Sequence, residues 1–344
     1  MDAMGGDIGP PVVVPAALQV LALQKTLHLV LVGNQEILKK ELMLHQNIDE
    51  SRLSIHHASQ RVEMSDSPAL ALRMKKDSSM RVAINLIKEG KAAACISAGN
   101  TGALMATARF VLKTIPGIDR PAIISTFPTK SNKNMRMLDL GANVDSTAEN
   151  LFQFAVMGSV LATAVDNIKN PKIYLLNIGA EDIKGNEQVK ETAQLLSQSK
   201  MLNYSGFIEG DELYEGLADV VVCDGFVGNV ALKTSEGVAK FIGKLIKDAY
   251  QRNFMSRMIG LLSIPILKRV MKRVDPNGYN GASFIGLQGI VIKSHGSANI
   301  QAFANAIIEG ARQVEKNIPQ RISSEVEQLL KLSKLEENKT SNHS

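Results

Sequence analysis

Short apolar runs alternate with stretches of helical periodicity along most of the chain. Residues 27–32 precede a helical pattern at 34–44, residues 92–97 precede 101–112, and residues 137–140 precede a long apolar pattern at 146–165. The alternation continues with 173–177 before 187–196 and with 220–223 before 229–250. Strand and helix in repeated succession predict βαβ units, hence a mainly parallel sheet. Val220, Val221 and Val222, like the run 172–176, are apolar nearly throughout, as strands buried on both faces are. The expected fold class is therefore α/β, with three layers, α/β/α, around that sheet. Helix starts are legible too. Ser146-Thr147-Ala148-Glu149 has the capping-box pattern, and Asp77-Ser78-Ser79 opens a helix that Gly90 should stop. No repeat or Pro/Gly/Ser linker divides the chain, so residues 1–335 are expected to form one domain. Residues 252–274 should protrude from it and 336–344 should be a disordered tail.

At 344 residues the chain has ample material for a core. Two Cys without a C-x-x-C or Cys/His cluster exclude a disulfide framework and a structural zinc site, and point to a reducing, cytosolic setting. The first residues carry no cationic and apolar leader pattern. No uninterrupted apolar run reaches the ~18 residues of a membrane span. Neither secretion nor integration into a membrane is expected. The net charge of +5 is unevenly placed. Residues 252–273 hold six basic side chains and no acidic ones, so the rest of the chain is close to neutral.

The informative positions lie where strand runs give way to helices. Six joints are rich in Gly, Asn and Asp: residues 2–7, 97–102, 139–143, 177–185, 224–229 and 294–297. In an open parallel sheet such joints gather at the carboxyl edge, where ligands bind, so one shared crevice is expected. Gly5, Gly6 and Gly225 would let the backbone approach a ligand. Helix N-termini would offer N–H groups, and Ser97, Asn100, Thr101, Asn143, Asn177 and Asn229 would add neutral donors. Such a pocket suits a phosphate or similar anion. The plainer reading is that Gly, Asn and Asp make turns and N-caps. Asp2, Glu181 and Asp224 sit awkwardly beside an anion; they can cap helices, bind an amide-rich cofactor arm, or orient Lys184 and His295. Lys184 can meet an anion as a point charge or pair with its acidic neighbours. His295, followed by Gly in a strand-to-helix joint, is the one histidine of six placed for chemistry.

No P-loop, dinucleotide fingerprint, G-x-S-x-G elbow or H-E-x-x-H is present, so no classical nucleotide, serine-nucleophile or zinc chemistry is signalled. Cys95 and Cys223 end apolar strands and read either as thiolates beside the joints or as small buried residues. In the basic segment, Met258, Leu261, Leu262 and Ile266 belong to a broad apolar helix face flanked by Lys268, Arg269 and Lys272. Pro265 should kink or split that helix. Three readings fit: an interfacial helix on anionic lipid, a core-packed or dimer-packed helix with a solvated basic face, or contact with an acidic protein. Nucleic acid is not expected, because the positive charge is confined and aromatic residues make up only 4% of the chain.

Several long motifs match a known family. Residues 2–7 (DAMGGD), 75–80 (KKDSSM), 97–103 (SAGNTGA), 139–143 (DLGAN), 177–185, 224–232 (DGFVGNVAL) and His295-Gly296 resemble the PlsX family of phosphate acyltransferases over nearly the whole chain. The resemblance implies a fold like that of isopropylmalate dehydrogenases and phosphotransacetylases, a homodimer, and work at the cytoplasmic membrane face. It implies an acyltransferase that makes acyl phosphate from acyl-acyl-carrier-protein and orthophosphate for phospholipid synthesis. Acyl carrier protein, an anionic membrane and the downstream membrane glycerol-3-phosphate acyltransferase are the implied partners. No tightly bound cofactor is implied; phosphopantetheine arrives on the carrier. The family usually carries a short apolar strand ahead of its DAMGGD motif, whereas here Met1 directly precedes Asp2, so the edge holding residues 2–7 is expected to lack that support. Phosphate itself would attack the thioester, with Asn100, Thr101, Asn143 and Asn229 holding it and Lys184 and His295 offsetting charge. A phosphotransacetylase acting on short acyl-CoA, an NAD-dependent decarboxylating dehydrogenase and a non-enzymatic membrane scaffold are the alternatives.

Overall fold

A computed structural model describes residues 1–341 apart from Asn47, Asn132 and Asp275; the side chains of Lys268, 271–277 and 330–341 lie outside the described residues. The most apolar strand sits where its composition puts it. β8 (Val220–Val222) is buried at every position, between β5 (Asn134–Leu138) and β6 (Lys172–Leu176), both parallel to it. β7 (Asn203–Ile208) closes that side, parallel to β6. On the other side, β3 (Ala94–Ser97) pairs in parallel with β10 (Ile290–Lys293). β4 (Ala122–Pro128) and β9 (Ala282–Ile285) join the two halves, giving the order β3-β10-β9-β4-β5-β8-β6-β7. β1 (Leu29–Gly33) and β2 (Leu53–His57) form a further parallel pair, and Asp2 bridges Val32 of β1 and Ser97 of β3.

Parallel pairs predominate, as expected, but the middle of the sheet is not parallel. The steps β10 to β9, β9 to β4 and β4 to β5 are all antiparallel. Three reversals in succession leave β5, β8, β6 and β7 running opposite to β3 and β10. The carboxyl ends of the two halves therefore lie at opposite edges of the sheet. A single carboxyl edge collecting all six joints does not exist, because two hairpin-like connections, between Pro128 and Asn134 and between Ile285 and Ile290, replace helical crossovers.

Alternation along the strands fills both faces. Met137, Val221, Phe284 and Val291 enter one cluster with α3 (Pro68–Met74), α4 (Ser79–Lys88) and α5 (Thr101–Leu112), while Leu138, Val220, Val222 and Ile285 enter another with α6 (Ala148–Val165) and α7 (Glu187–Gln198). A third cluster joins α1 (Pro10–Leu23), α2 (Gln35–Leu42), α10 (Ile300–Glu315) and Ile292. The layers are thus α/β/α. By length and composition α6 could cross a membrane, but Phe154, Met157 and Leu161 are fully buried in this fold, each worth roughly 1.5–3 kcal/mol of burial. Arg136 of β5 ties that face together. Its Nε and Nη2 each lie 2.8 Å from Asp166, and Nη1 lies 3.1 Å from Glu309 of α10.

The cap of α6 is one residue later than the pattern predicts. Thr147 accepts from the Asn150 N–H while Asn150 accepts from the Thr147 N–H, and the Ser146 hydroxyl is buried without a partner. Ser78 caps α4 as expected, and Gly90 follows it at φ 68°. Residues 2–7 do not lack support. The Asp2 N–H donates to Ile96 O and the Ala3 N–H to Val32 O, both at 2.9 Å, which seats the segment between β1 and β3. The helix α11 (Ile318–Ser341) runs into the stretch expected to be a disordered tail, where the side chains and residues 342–344 lie outside the described residues.

Candidate active site

Three joints meet at the carboxyl ends of β3 and β10. Asp2 is buried, with Oδ1 accepting from Ser79 Oγ and Oδ2 from Ser97 Oγ, each at 2.6 Å; Ser97 Oγ also accepts from the Gly99 N–H. The Asp7 N–H donates to Gly296 O at 2.9 Å. The approach leaves no room for side chains. A Cβ on Gly5 would stand 2.5 Å from Asp2 Oδ2, and one on Gly6 2.9 Å from Ala98 Cβ. Asp2, Gly5, Gly6 and Ser97 are therefore the frame of the site rather than its exposed groups. Asn100 caps α5 by accepting from the Ala103 N–H, and its amide donates to Met64 O and Asp66 O. The His295 N–H donates to Asn280 Oδ1, and its Nδ1 lies 3.0 Å from Ser297 Oγ. Burial lowers the His295 pKa, an effect that Glu236 opposes.

The other joints assemble around the carboxyl ends of β5, β8 and β6. Asp139 is fully buried and accepts from the Ile123, Ala142 and Asn143 N–H groups and from Asn143 Nδ2; burial nevertheless raises its pKa. Asn143 Nδ2 also donates to Pro121 O. Asp224 caps α8 (Gly225–Gln251) by accepting from the Val227 N–H. Gly225 and Gly228 let that helix start against the Asp139 turn. Asn177 fastens its own loop, donating to Gly179 O and Lys184 O, while Glu181 and Lys184 are exposed.

From that end α8 turns back over the sheet face, and a cavity of about 990 Å³ lies beneath it. Its floor includes Ile123, Phe127 and Leu140, and its roof Leu232, Ile242 and Ile246, with Val270 of α9 (Phe254–Val274) beyond. One end is polar, lined by Thr101, Lys293, Ser294, His295 and Gly296. Asn229 lines the cavity from α8. Of the residues expected at the site, Thr101, Asn229 and His295 line this cavity. Asn177, Glu181 and Lys184 do not. Asp2, Gly5, Gly6, Ser97, Asn100, Asn143, Asp224 and Gly225 form the turns and caps around it.

Two side chains at the polar end carry no motif in the sequence, Lys293 and Lys233. Lys293 ends an apolar strand one residue before Ser294-His295, a charged residue where the pattern calls for core, and that was the available signal. Its Nζ donates to Ala98 O at 3.2 Å and, more closely, to Ser294 O. Burial lowers its pKa to about 8, against the pull of Asp2 and Asp7. The two thiols behave as small core residues. Burial pushes Cys95 up to about 12 and Cys223 well above its ordinary value, so neither is a thiolate near neutral pH.

The basic segment forms one continuous helix, α9, through Pro265, so the proline does not split it. Met258, Leu261, Leu262 and Ile266 are exposed, Leu262 at 81%, and Arg269 is exposed beside them. The side chains of Lys268 and Lys272 lie outside the described residues.

An apolar cleft with a lysine and a histidine at one end, set on a mixed α/β/α sheet, defines the class of fold to which the chain belongs. Solved structures agree on the fold: a phosphotransacetylase from Streptococcus pyogenes superposes with a TM-score of 0.60 at 17% identity, covering 89% of this chain and 91% of that one. The EutD phosphotransacetylase from Staphylococcus aureus gives 0.57 at 17% identity, over 88% and 90%. The chain belongs to the family described as "Fatty acid synthesis protein", whose model matches residues 1–321. It is similar to the phosphate acyltransferase of Nitrosococcus oceani, 59% identical over 95% of this chain and 96% of the relative. The phosphate acyltransferase of Coxiella burnetii is 58% identical over 96% and 97%.

Proposed function

We propose that this enzyme transfers the acyl group of acyl-acyl-carrier-protein to orthophosphate, giving acyl phosphate for phospholipid synthesis. The observation that carries the reading is the 59% identity to a phosphate acyltransferase over 95% of the chain. A phosphate oxygen attacks the thioester carbonyl, a C–O bond forms, and the C–S bond breaks to release the carrier's thiolate. That leaving group has a pKa near 8.5, about that of an ordinary thiol, and needs little protonation. No protein nucleophile takes part, which fits two thiols held neutral by burial. The protein's work is positioning and charge, and orientation alone can be worth effective molarities of order 10⁵ M or more. Thr101 and Asn229 offer donors along the cleft, and His295 stands at its polar end to stabilise charge on the tetrahedral oxyanion. Lys184 remains a proposed contributor of charge, on a loop apart from the cavity. The apolar floor and roof suit a long acyl chain better than an acetyl group.

Palmitoyl-acyl-carrier-protein with labelled phosphate should give a hydroxylamine-sensitive acyl phosphate, and acetyl-CoA should give little. Turnover of acetyl-CoA with none of the long-chain substrate would sink this reading. His295→Ala should lower kcat by about tenfold or more, and the Lys184→Ala, His295→Ala pair further. A double variant within about tenfold of the parent would remove both residues from the mechanism.

Carrier protein is the partner this reaction requires. The enzyme works as a homodimer at the cytoplasmic membrane face, where the downstream glycerol-3-phosphate acyltransferase takes up its product. No cofactor is held; phosphopantetheine comes with the carrier. The exposed apolar and cationic face of α9 supports this placement.

A further inference from the structure

Phosphate carries most of the charge in the proposed reaction, so its position depends on which cation meets it. Lys293 has the geometry for that contact. The side chain is half-buried at the polar end of the cavity, and two of its three N–H groups go to the carbonyls of Ala98 and Ser294. Those carbonyls belong to different loops, one after β3 and one after β10, so the ammonium is held from two sides and one N–H is left over. It is not neutralised by an ion pair: among the described residues no carboxylate lies within 4.0 Å of Nζ. Asp2 commits both oxygens to Ser79 and Ser97, and the neighbouring cation Lys233 is paired with Glu236 at 3.0 Å. A fixed, unpaired ammonium on the wall of a cavity is a site for an anion.

We propose that Lys293 contacts inorganic phosphate, donating its remaining N–H to a phosphate oxygen at the Thr101 and His295 end of the cavity. The inference rests on the reaction proposed above and names the residue that reads its second substrate. The groups acting on Lys293 are Asp2 and Asp7 from the first loop, Lys233 from α8, and His295 beyond Ser294. As pH rises through about 8 the ammonium deprotonates, and phosphate should be held less well.

The test uses full-length wild type, Lys293→Gln and Lys293→Arg, with inorganic phosphate as the probe. In steady state, Lys293→Gln should raise the phosphate KM by about tenfold or more while the palmitoyl-acyl-carrier-protein KM moves less than about threefold. Lys293→Arg should restore much of the loss and carry the alkaline rise in phosphate KM to higher pH, because guanidinium stays charged. In thermal melts, added phosphate should raise the wild-type Tm and leave that of Lys293→Gln unchanged. An unchanged phosphate KM and an equal phosphate-induced Tm shift in Lys293→Gln would overturn the inference, as would a loss falling only on the carrier substrate. If Lys293→Gln does not fold, the wild-type and Lys293→Arg pH profiles decide: identical alkaline limbs refute the contact. Failure of the proposed reaction reads differently, as phosphate binding that depends on Lys293 in an enzyme that forms no acyl phosphate.

Discussion

Two glycines of α8 show how much a single position can carry. A Cβ on Gly228 would fall 1.9 Å from Asp139 O and 2.8 Å from Cys223 Sγ, so the helix cannot start where it does with any larger residue there. Gly237 lies in the same helix, and a methyl added there would meet nothing within 4 Å. Gly228→Ala should lower the urea midpoint by the equivalent of about 3 kcal/mol or prevent folding, and it should abolish acyl phosphate formation. Gly237→Ala should raise stability by roughly 0.5–1 kcal/mol, since alanine loses less backbone entropy in a helix. Equal effects from the two would mean that the Asp139 turn does not pin α8. The residue scale also explains why the Asn and Asp of the joints are ambiguous in sequence. Asn100 and Asp224 cap helices and Asn143 ties a turn, yet each does so beside the cavity. A hydrogen bond to the chain's own backbone and one to a ligand call for the same side chain.

At the scale of elements, α6 separates pattern from geometry. Ser146 and Glu149 carry the expected spacing, but Thr147 and Asn150 make the reciprocal bonds, one residue further on. Thr147→Ala should cost about 1 kcal/mol in chemical denaturation, whereas Ser146→Ala should be neutral or slightly stabilising because its buried hydroxyl has no partner. The reverse ranking would restore the sequence-based cap. Strand direction is the element-level property that the pattern misses. Hydrophobic runs mark β6 and β8 closely and catch only the end of β5; they leave β2, β4, β7, β9 and β10 unread, and with β4 and β9 the reversals in mid-sheet. The short polar stretch between Pro128 and Asn134 is the available sign of a hairpin, since five residues cannot hold a crossover helix.

On the scale of the whole molecule, the two parallel halves open their loops at opposite edges, and α8 reconnects them by crossing the sheet face. The cavity beneath it reaches from Leu140 and Asn229 at one end to Thr101 and His295 at the other. Beyond it, α9 presents Leu261, Leu262 and Ile266 outward. If that face meets lipid, Leu262→Glu with Ile266→Glu should lower sedimentation with anionic liposomes by about tenfold or more and leave turnover on soluble carrier substrate within about twofold. Unchanged sedimentation, with the variants shifting from dimer to monomer in light scattering, would assign the face to the subunit interface instead.

Sequence alone determined the class of fold, several of the buried strands, several helix starts, the Gly- and Asn-rich joints and the family, because these follow from local periodicity, local hydrogen bonding and motif identity. Tertiary structure decided which joints share a cavity. It set Thr101, Asn229 and His295 along one cleft, left Lys184 outside it, and brought the unremarked Lys293 to its polar end. Those outcomes depend on the sense in which distant strands pair, and neighbours in sequence do not encode that sense.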